Sequence, residues 1–91
     1  MVNTRDTFTV SAGGKIFLRQ RQSGDEMRLP GGTKSLKKIF IDRKIPAAQR
    51  SQIPVVTDGE GVLGVYGIGV NMSRSAETLP AVMIKIEKIG G

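Results

Sequence analysis

The stretch Leu29-Pro30-Gly31-Gly32-Thr33-Lys34-Ser35-Leu36-Lys37-Lys38-Ile39-Phe40 constrains this chain more than any other. Pro30 bars a helix from running through, and the two glycines let the backbone turn. Leu36, Ile39 and Phe40 then fall at i, i+3 and i+4, the spacing of an amphipathic helix. Ser35 or Thr33 can cap it. The charges run against the usual rule. A helix N-terminus carries a partial positive charge, so stability favours Asp or Glu in the first turn. Here Lys34, Lys37 and Lys38 crowd that end and lie off the apolar stripe. The unfavourable arrangement becomes favourable once an anion docks against free N–H groups and nearby ammonium groups. The segment reads as a contact to a nucleic-acid backbone. The plainer alternative is a solvated lysine face beside an ordinary turn.

The flanking sequence predicts mainly short strands. Residues 7–10 alternate, with Phe8 and Val10 on one side, and residues 15–19 do the same with Ile16 and Leu18. Ser11-Ala12-Gly13-Gly14 between them predicts a β-hairpin. Residues 20–32 read as loop, in which Asp25 either bonds loop amides or pairs with Arg19 or Arg21. The amphipathic helix should end near Arg43 or Lys44, and Pro46 suits the start of a second, short helix through Arg50. Residues 53–56 begin a strand, and Asp58-Gly59 marks a hairpin turn. Residues 62–70 return as a central strand, with Val62, Gly64, Tyr66, Ile68 and Val70 on one face. Its glycines mark bends or close backbone approach. Residues 71–80 read as a mobile polar loop, and residues 81–89 as a closing strand. The expected fold class is α+β: a small mixed or antiparallel β-sheet built from hairpins, with one amphipathic helix and one short helix packed on it. Residues 1–91 should form a single domain.

Charge and missing residue types narrow the function. Fourteen Lys and Arg against eight Asp and Glu leave a net charge of +6, which points to a polyanionic partner, nucleic acid or an acidic membrane surface. The chain has no Cys, which excludes disulfides, a thiol nucleophile and thiolate metal sites. It has no His, the usual general base and commonest metal ligand. No apolar run is long enough to cross a membrane, and the first residues do not read as a secretory signal. The expectation is a cytoplasmic protein with no membrane partner.

The nucleotide motifs fail on spacing. In Gly31-Gly32-Thr33-Lys34-Ser35, Thr33 separates the last glycine from the lysine, so no P-loop forms. Gly64, Gly67 and Gly69 have the reverse of dinucleotide-binding spacing and lie in a strand. No nucleophile accompanies Asp25-Glu26 or Asp58 and Glu60, and Asp58-Gly59-Glu60 lacks the ligand run of a calcium loop. A second basic group is more promising. Arg19 and Arg21 share a strand face, and with Arg28 they lead toward the lysine segment. Joined to Lys34, Lys37 and Lys38 they would make a phosphate-tracking surface, as against scattered solubilising charge. With three Phe, one Tyr and no Trp, broad base stacking is ruled out.

The ordered series Arg19-Gln20-Arg21, Gly24-Asp25, Pro30-Gly31-Gly32, Lys34-Ser35-Leu36-Lys37-Lys38, Asp42, Ile45-Pro46, Arg50 and Ile53-Pro54-Val55 resembles the C-terminal domain of bacterial tRNA(Ile)-lysidine synthetase. The resemblance covers about residues 8 to 70. It implies a larger ligase, whose N-terminal domain uses ATP to adenylate the wobble cytidine of an isoleucine tRNA before lysine displaces AMP. The Ser-Gly-Gly-x-Asp-Ser loop of that domain is absent here, so the resemblance implies a C-terminal module with no catalytic site. No cofactor is expected in this chain, ATP and lysine being used by the N-terminal catalytic domain of the same polypeptide. The implied partners are that domain and tRNA(Ile), held near its acceptor stem. By position Lys34, Lys37 and Lys38 match backbone contacts. Arg19, Arg21 and Arg50 follow as candidates, with stapling of the short helix as the other role for Arg50. The rival reading is a non-catalytic interaction module that docks a sister domain or forms a homodimer, its charge serving solubility.

Overall fold

The computed structural model describes residues 3–76 and 81–87. Its centre is a hairpin of β5 (Val55–Asp58) and β6 (Gly61–Val65), turning where Asp58-Gly59 predicts. Val55 pairs with Val65 and Val56 with Gly64, but Thr57 pairs with Val62, so Leu63 is an extra residue on β6. This β-bulge breaks the alternation. Val62 and Val65 join Val55 in one buried cluster, while Leu63 joins Val56 in another. The single alternating face expected over residues 62–70 is therefore corrected. That strand also stops early: Tyr66, Gly67 and Ile68 turn the chain, and β7 (Gly69–Val70) folds back on β6. β2 (Phe17–Arg19) pairs with the other edge of β5, giving an antiparallel sheet of order β2-β5-β6-β7.

One side of this sheet carries α1 (Leu36–Asp42). β3 (Glu26–Leu29) and β4 (Gly32–Ser35) form a hairpin around Pro30-Gly31, where the sequence reads as loop. The signal is faint because only Met27 and Leu29 face inward from a charged background. α1 follows, burying Leu36, Ile39 and Phe40 against Met27, Val55, Val62 and Val65. Ser35 is its cap: its hydroxyl accepts from the Lys38 N–H at 3.1 Å. Lys34 consequently belongs to β4, and only Lys37 and Lys38 lie in the first helical turn. The helix ends in a Schellman pattern: Lys44 N–H donates to Ile41 O, and Ile45 N–H to Phe40 O. Lys44 has φ 56°, a left-handed position that favours glycine. The short helix α2 (Ala47–Arg50) follows Pro46.

The other side is covered by β1 (Thr7–Val10) paired with β8 (Val82–Lys85). β1 and β2 therefore do not form the hairpin that Gly13-Gly14 predicts. Phe8 and Val10 pack on Val56 and Leu63, and the chain then crosses to the far edge of β5. The loop after β7 is anchored where mobility was expected. Asn71 is buried, Ser75 bridges to Val10, and Ala76 N–H donates to Thr9 O. Residues 77–80 of that loop, and Lys88 and Ile89 of the closing strand, lie outside the described residues.

Two stability predictions follow from this packing. A Cβ at Gly64 would sit 2.8 Å from the Phe8 ring and 3.0 Å from Gly69 O. Gly64→Ala should destabilise the chain by about 1–3 kcal/mol in urea unfolding, the usual overpacking range. Lys44→Gly should stabilise it by about 0.5–1 kcal/mol in the same assay, since it relieves the left-handed strain.

Candidate nucleic-acid interface

Each basic side chain is placed by a different local constraint. Lys34 lies opposite Met27 in the β3–β4 ribbon, and its Nζ reaches Asp42 at 3.2 Å. Asp42 is the last residue of α1, where the helix dipole disfavours an acid. Lys34 offsets that charge at the far end of the helix from Lys37 and Lys38. Those two lysines are exposed, the first turn holds no acid, and neither has an ion-pair partner among the described residues.

The Gln22-to-Asp25 turn sits beside this helix start, because Leu36 N–H donates to Asp25 O at 2.9 Å. Asp25 accepts both terminal nitrogens of Arg19, at 2.7 and 3.0 Å, and the Gln22 amide at 2.7 Å. Burial alone would raise the Asp25 carboxyl, but Arg19 and the Gln22 amide outweigh it and hold the group below its ordinary range. Arg19 is thus committed to one of the two roles foreseen for Asp25, and the loop amide to the other. Arg21 is half-buried near the same turn. Arg50 donates Nε–H to Ile45 O at 2.9 Å, which ties α2 to the chain leaving α1. Arg28 is exposed on β3 opposite Thr33, on the ribbon face away from Met27. It lines a cavity of about 360 Å³ that also carries Glu26, Glu60 and Arg74. The ribbon, turn and helix start bring Lys37, Lys38 and the Arg19–Asp25 pair together; Lys34 and Arg28 point elsewhere.

Two polar residues that no sequence spacing marks, Asn71 and Arg74, hold this arrangement. Asn71 Oδ1 accepts from Arg28 N–H at 3.0 Å, and its Nδ2 donates to Val62 O at 2.8 Å, which docks β3 on β6. Asp58 accepts from Gly13, Glu60 and Gly61 N–H groups and forms a buried ion pair with Arg74. A Cβ at Gly13 would lie 2.8 Å from the Glu60 carboxylate, a contact that this exposed side chain can relieve by turning away. The Arg74 guanidinium, helped by these amides against burial, holds the Asp58 carboxyl far below the usual carboxylate range. No one-dimensional spacing marks Asn71 or Arg74; only the Asp58-Gly59 turn was visible. Among the described residues no cluster of acidic residues could hold a metal ion, and no helix is long and apolar enough to cross a membrane.

The family model for the TilS substrate C-terminal domain matches residues 16–85, from β2 through β8. This chain belongs to that family. A tRNA(Ile)-lysidine synthase of Clostridioides difficile (strain 630) is 38% identical over 78 residues, spanning 84% of this chain and 17% of that protein. One from Exiguobacterium sibiricum is 41% identical over 73 residues, spanning 79% and 18%. The chain thus spans about a sixth of the length of these relatives. A crystal structure of the TILS C-terminal domain superimposes with a TM-score of 0.71 at 29% identity, covering 92% of this chain and 73% of that one. The TilS substrate C-terminal domain fold is therefore shared, with its small antiparallel sheets and two helices.

Both depressed carboxyls stabilise this fold in the same pH window. Their contribution is complete above the ordinary value of 3.8 and is lost as pH falls through the folded-state values. Unfolding free energy should be flat from neutrality to about pH 5 and decline below about pH 4. Asp58→Asn should cost about 3–5 kcal/mol at neutral pH, because Arg74 loses a buried partner, and should make the acid decline shallower. Urea titrations at several pH values check both; an unchanged acid slope would contradict the role given to Asp58.

Proposed function

We propose that this chain is the tRNA-binding C-terminal part of a tRNA(Ile)-lysidine synthase. In this reading a ligase converts the wobble cytidine of an isoleucine tRNA to lysidine, and this module grips the acceptor-stem region through phosphate contacts. ATP and lysine are used by an N-terminal catalytic domain of the same polypeptide, and this part carries no catalytic residue or cofactor. Membership in the TilS substrate C-terminal domain family supports the assignment.

The observation that carries the binding role is the pair Lys37 and Lys38. They are exposed cations in a first helical turn that holds no acid. Lys34, Arg19, Arg21, Arg28 and Arg50 complete the candidate set with graded parts. Lys34 must share its ammonium with Asp42, and Arg19 holds the turn from which Arg21 projects. Binding that rests on phosphate contacts falls steeply with salt, while shape and 2′-hydroxyl contacts select an A-form stem.

A second reading rests on exposed apolar residues. Phe17 and Leu18, 52% and 60% exposed, stand on the outer edge strand β2, and Met83 is 64% exposed on β8. These would dock a sister domain or a second copy of the chain.

One titration separates the two. Changing Lys37 and Lys38 together to Gln should weaken tRNA binding by about 1–2 kcal/mol and flatten the log–log salt slope by nearly two units. Unchanged affinity and slope in a folded variant, with a concentration-dependent mass in the parent, would favour the docking reading.

A further inference from the structure

Arg21 and Arg50 stand apart from the lysine-bearing helix and share one recess. Gln20, Arg21, Ala47, Arg50 and Ser51 line a cleft of about 280 Å³ between the chain leaving β2 and α2. Its lining residues include two arginines, a serine and a glutamine, and no acidic residue. Arg50 is fixed by its Nε–H bond to Ile45 O, which leaves its terminal nitrogens without a protein partner among the described residues. Arg21 has no ion pair among the described residues either. The acid that feels its charge is Asp25, and both Asp25 oxygens are already taken by Arg19 and the Gln22 amide.

Two arginines therefore border one partly enclosed space whose lining residues include no acid. Such a lining suits an anion. Guanidinium forks match phosphate oxygens two at a time, and the Ser51 hydroxyl and Gln20 amide can donate beside them. The neighbouring recess shares Gln20 and Ser51 and adds Leu18, Ile53 and Pro54, with Arg19 and Gln52 also in its lining. A charged pocket beside an apolar shelf suits a phosphate with its sugar attached.

We propose that the Arg21–Arg50 cleft is a phosphate pocket that takes one phosphate group of an RNA strand, its ribose lying toward Leu18, Ile53 and Pro54. The choice of RNA rests on the function proposed above; the anion pocket itself rests on the cleft. Arg21 and Arg50 would then contact the ligand, while Arg19 positions the turn between them.

The test follows arginine Nε–Hε resonances of the 91-residue chain. The probes are inorganic phosphate and a short RNA stem carrying either a 5′-hydroxyl or a 5′-phosphate. Arg21 and Arg50 should shift and saturate with inorganic phosphate, while Arg74, paired with Asp58 away from the cleft, stays put. Equal response to both stems identifies an internal phosphodiester; preference for the 5′-phosphate identifies a terminal monoester. Arg21→Gln should lower tRNA affinity about tenfold and flatten the salt slope by about one unit, with Arg21→Lys recovering part of both. If phosphate saturates Arg21 and Arg50 but tRNA does not bind, the pocket stands and the RNA assignment falls. If tRNA binds while both arginines stay silent, or a folded Arg21→Gln chain binds like the parent, the pocket is overturned.

Discussion

A buried carboxylate closes the hairpin on which everything else hangs. Asp58 ends β5 and accepts from the amides of its own turn, from Gly13 on the crossing segment and from Arg74 on the loop after β7. Three distant pieces of chain meet at one charge. Removing the charge would leave the Arg74 guanidinium and those amides unsatisfied, which costs far more than the pair contributes on its own. The bulge at Leu63 complements this latch. It turns Val62 and Val65 toward α1 and Leu63 toward Phe8, so one thin hairpin serves two apolar clusters. A chain of 91 residues with few aromatics has little core to spare, and burying both faces of one hairpin uses it fully.

Pairing of acids decides which cations are left over. Asp25 takes Arg19, Asp42 takes Lys34 and Asp58 takes Arg74. Each of these pairs secures a turn, a helix end or a hairpin. Lys37, Lys38, Arg21 and Arg50, like Arg5, Lys15, Arg28, Arg43 and Lys44, hold no ion pair among the described residues. The first four stand on α1, α2 and the segment leaving β2. The fold thus sorts a uniformly basic composition into structural cations and free ones. The surface proposed for RNA is made of the second kind.

Much of this was legible in one dimension, and the failures have physical causes. The stripe Leu36, Ile39 and Phe40 and the cap Ser35 sit where spacing puts them, because helix periodicity and capping are local. The Asp58-Gly59 turn was equally plain. The partner of β1 was not, since Gly13-Gly14 has the look of a hairpin and the strand that pairs with β1, β8, lies more than seventy residues along the chain. The β3–β4 ribbon hid because its buried face is two residues long. Among the site residues, the sequence displayed the charges but not their partners. Lys34 looked like a helix residue until the ribbon placed it in β4. Asn71 and Arg74 looked like loop until long-range bonds to Val62 and Asp58 fixed them.

The sorting of charges is tested most directly by the footprint of tRNA on the folded chain, mapped as backbone amide shifts at low salt. The shifts should concentrate at Lys37, Lys38, Arg21, Arg50 and Ser51, leaving the β1–β8 sheet silent. A footprint centred on Phe17, Leu18 and Met83, or no footprint at all, would contradict it.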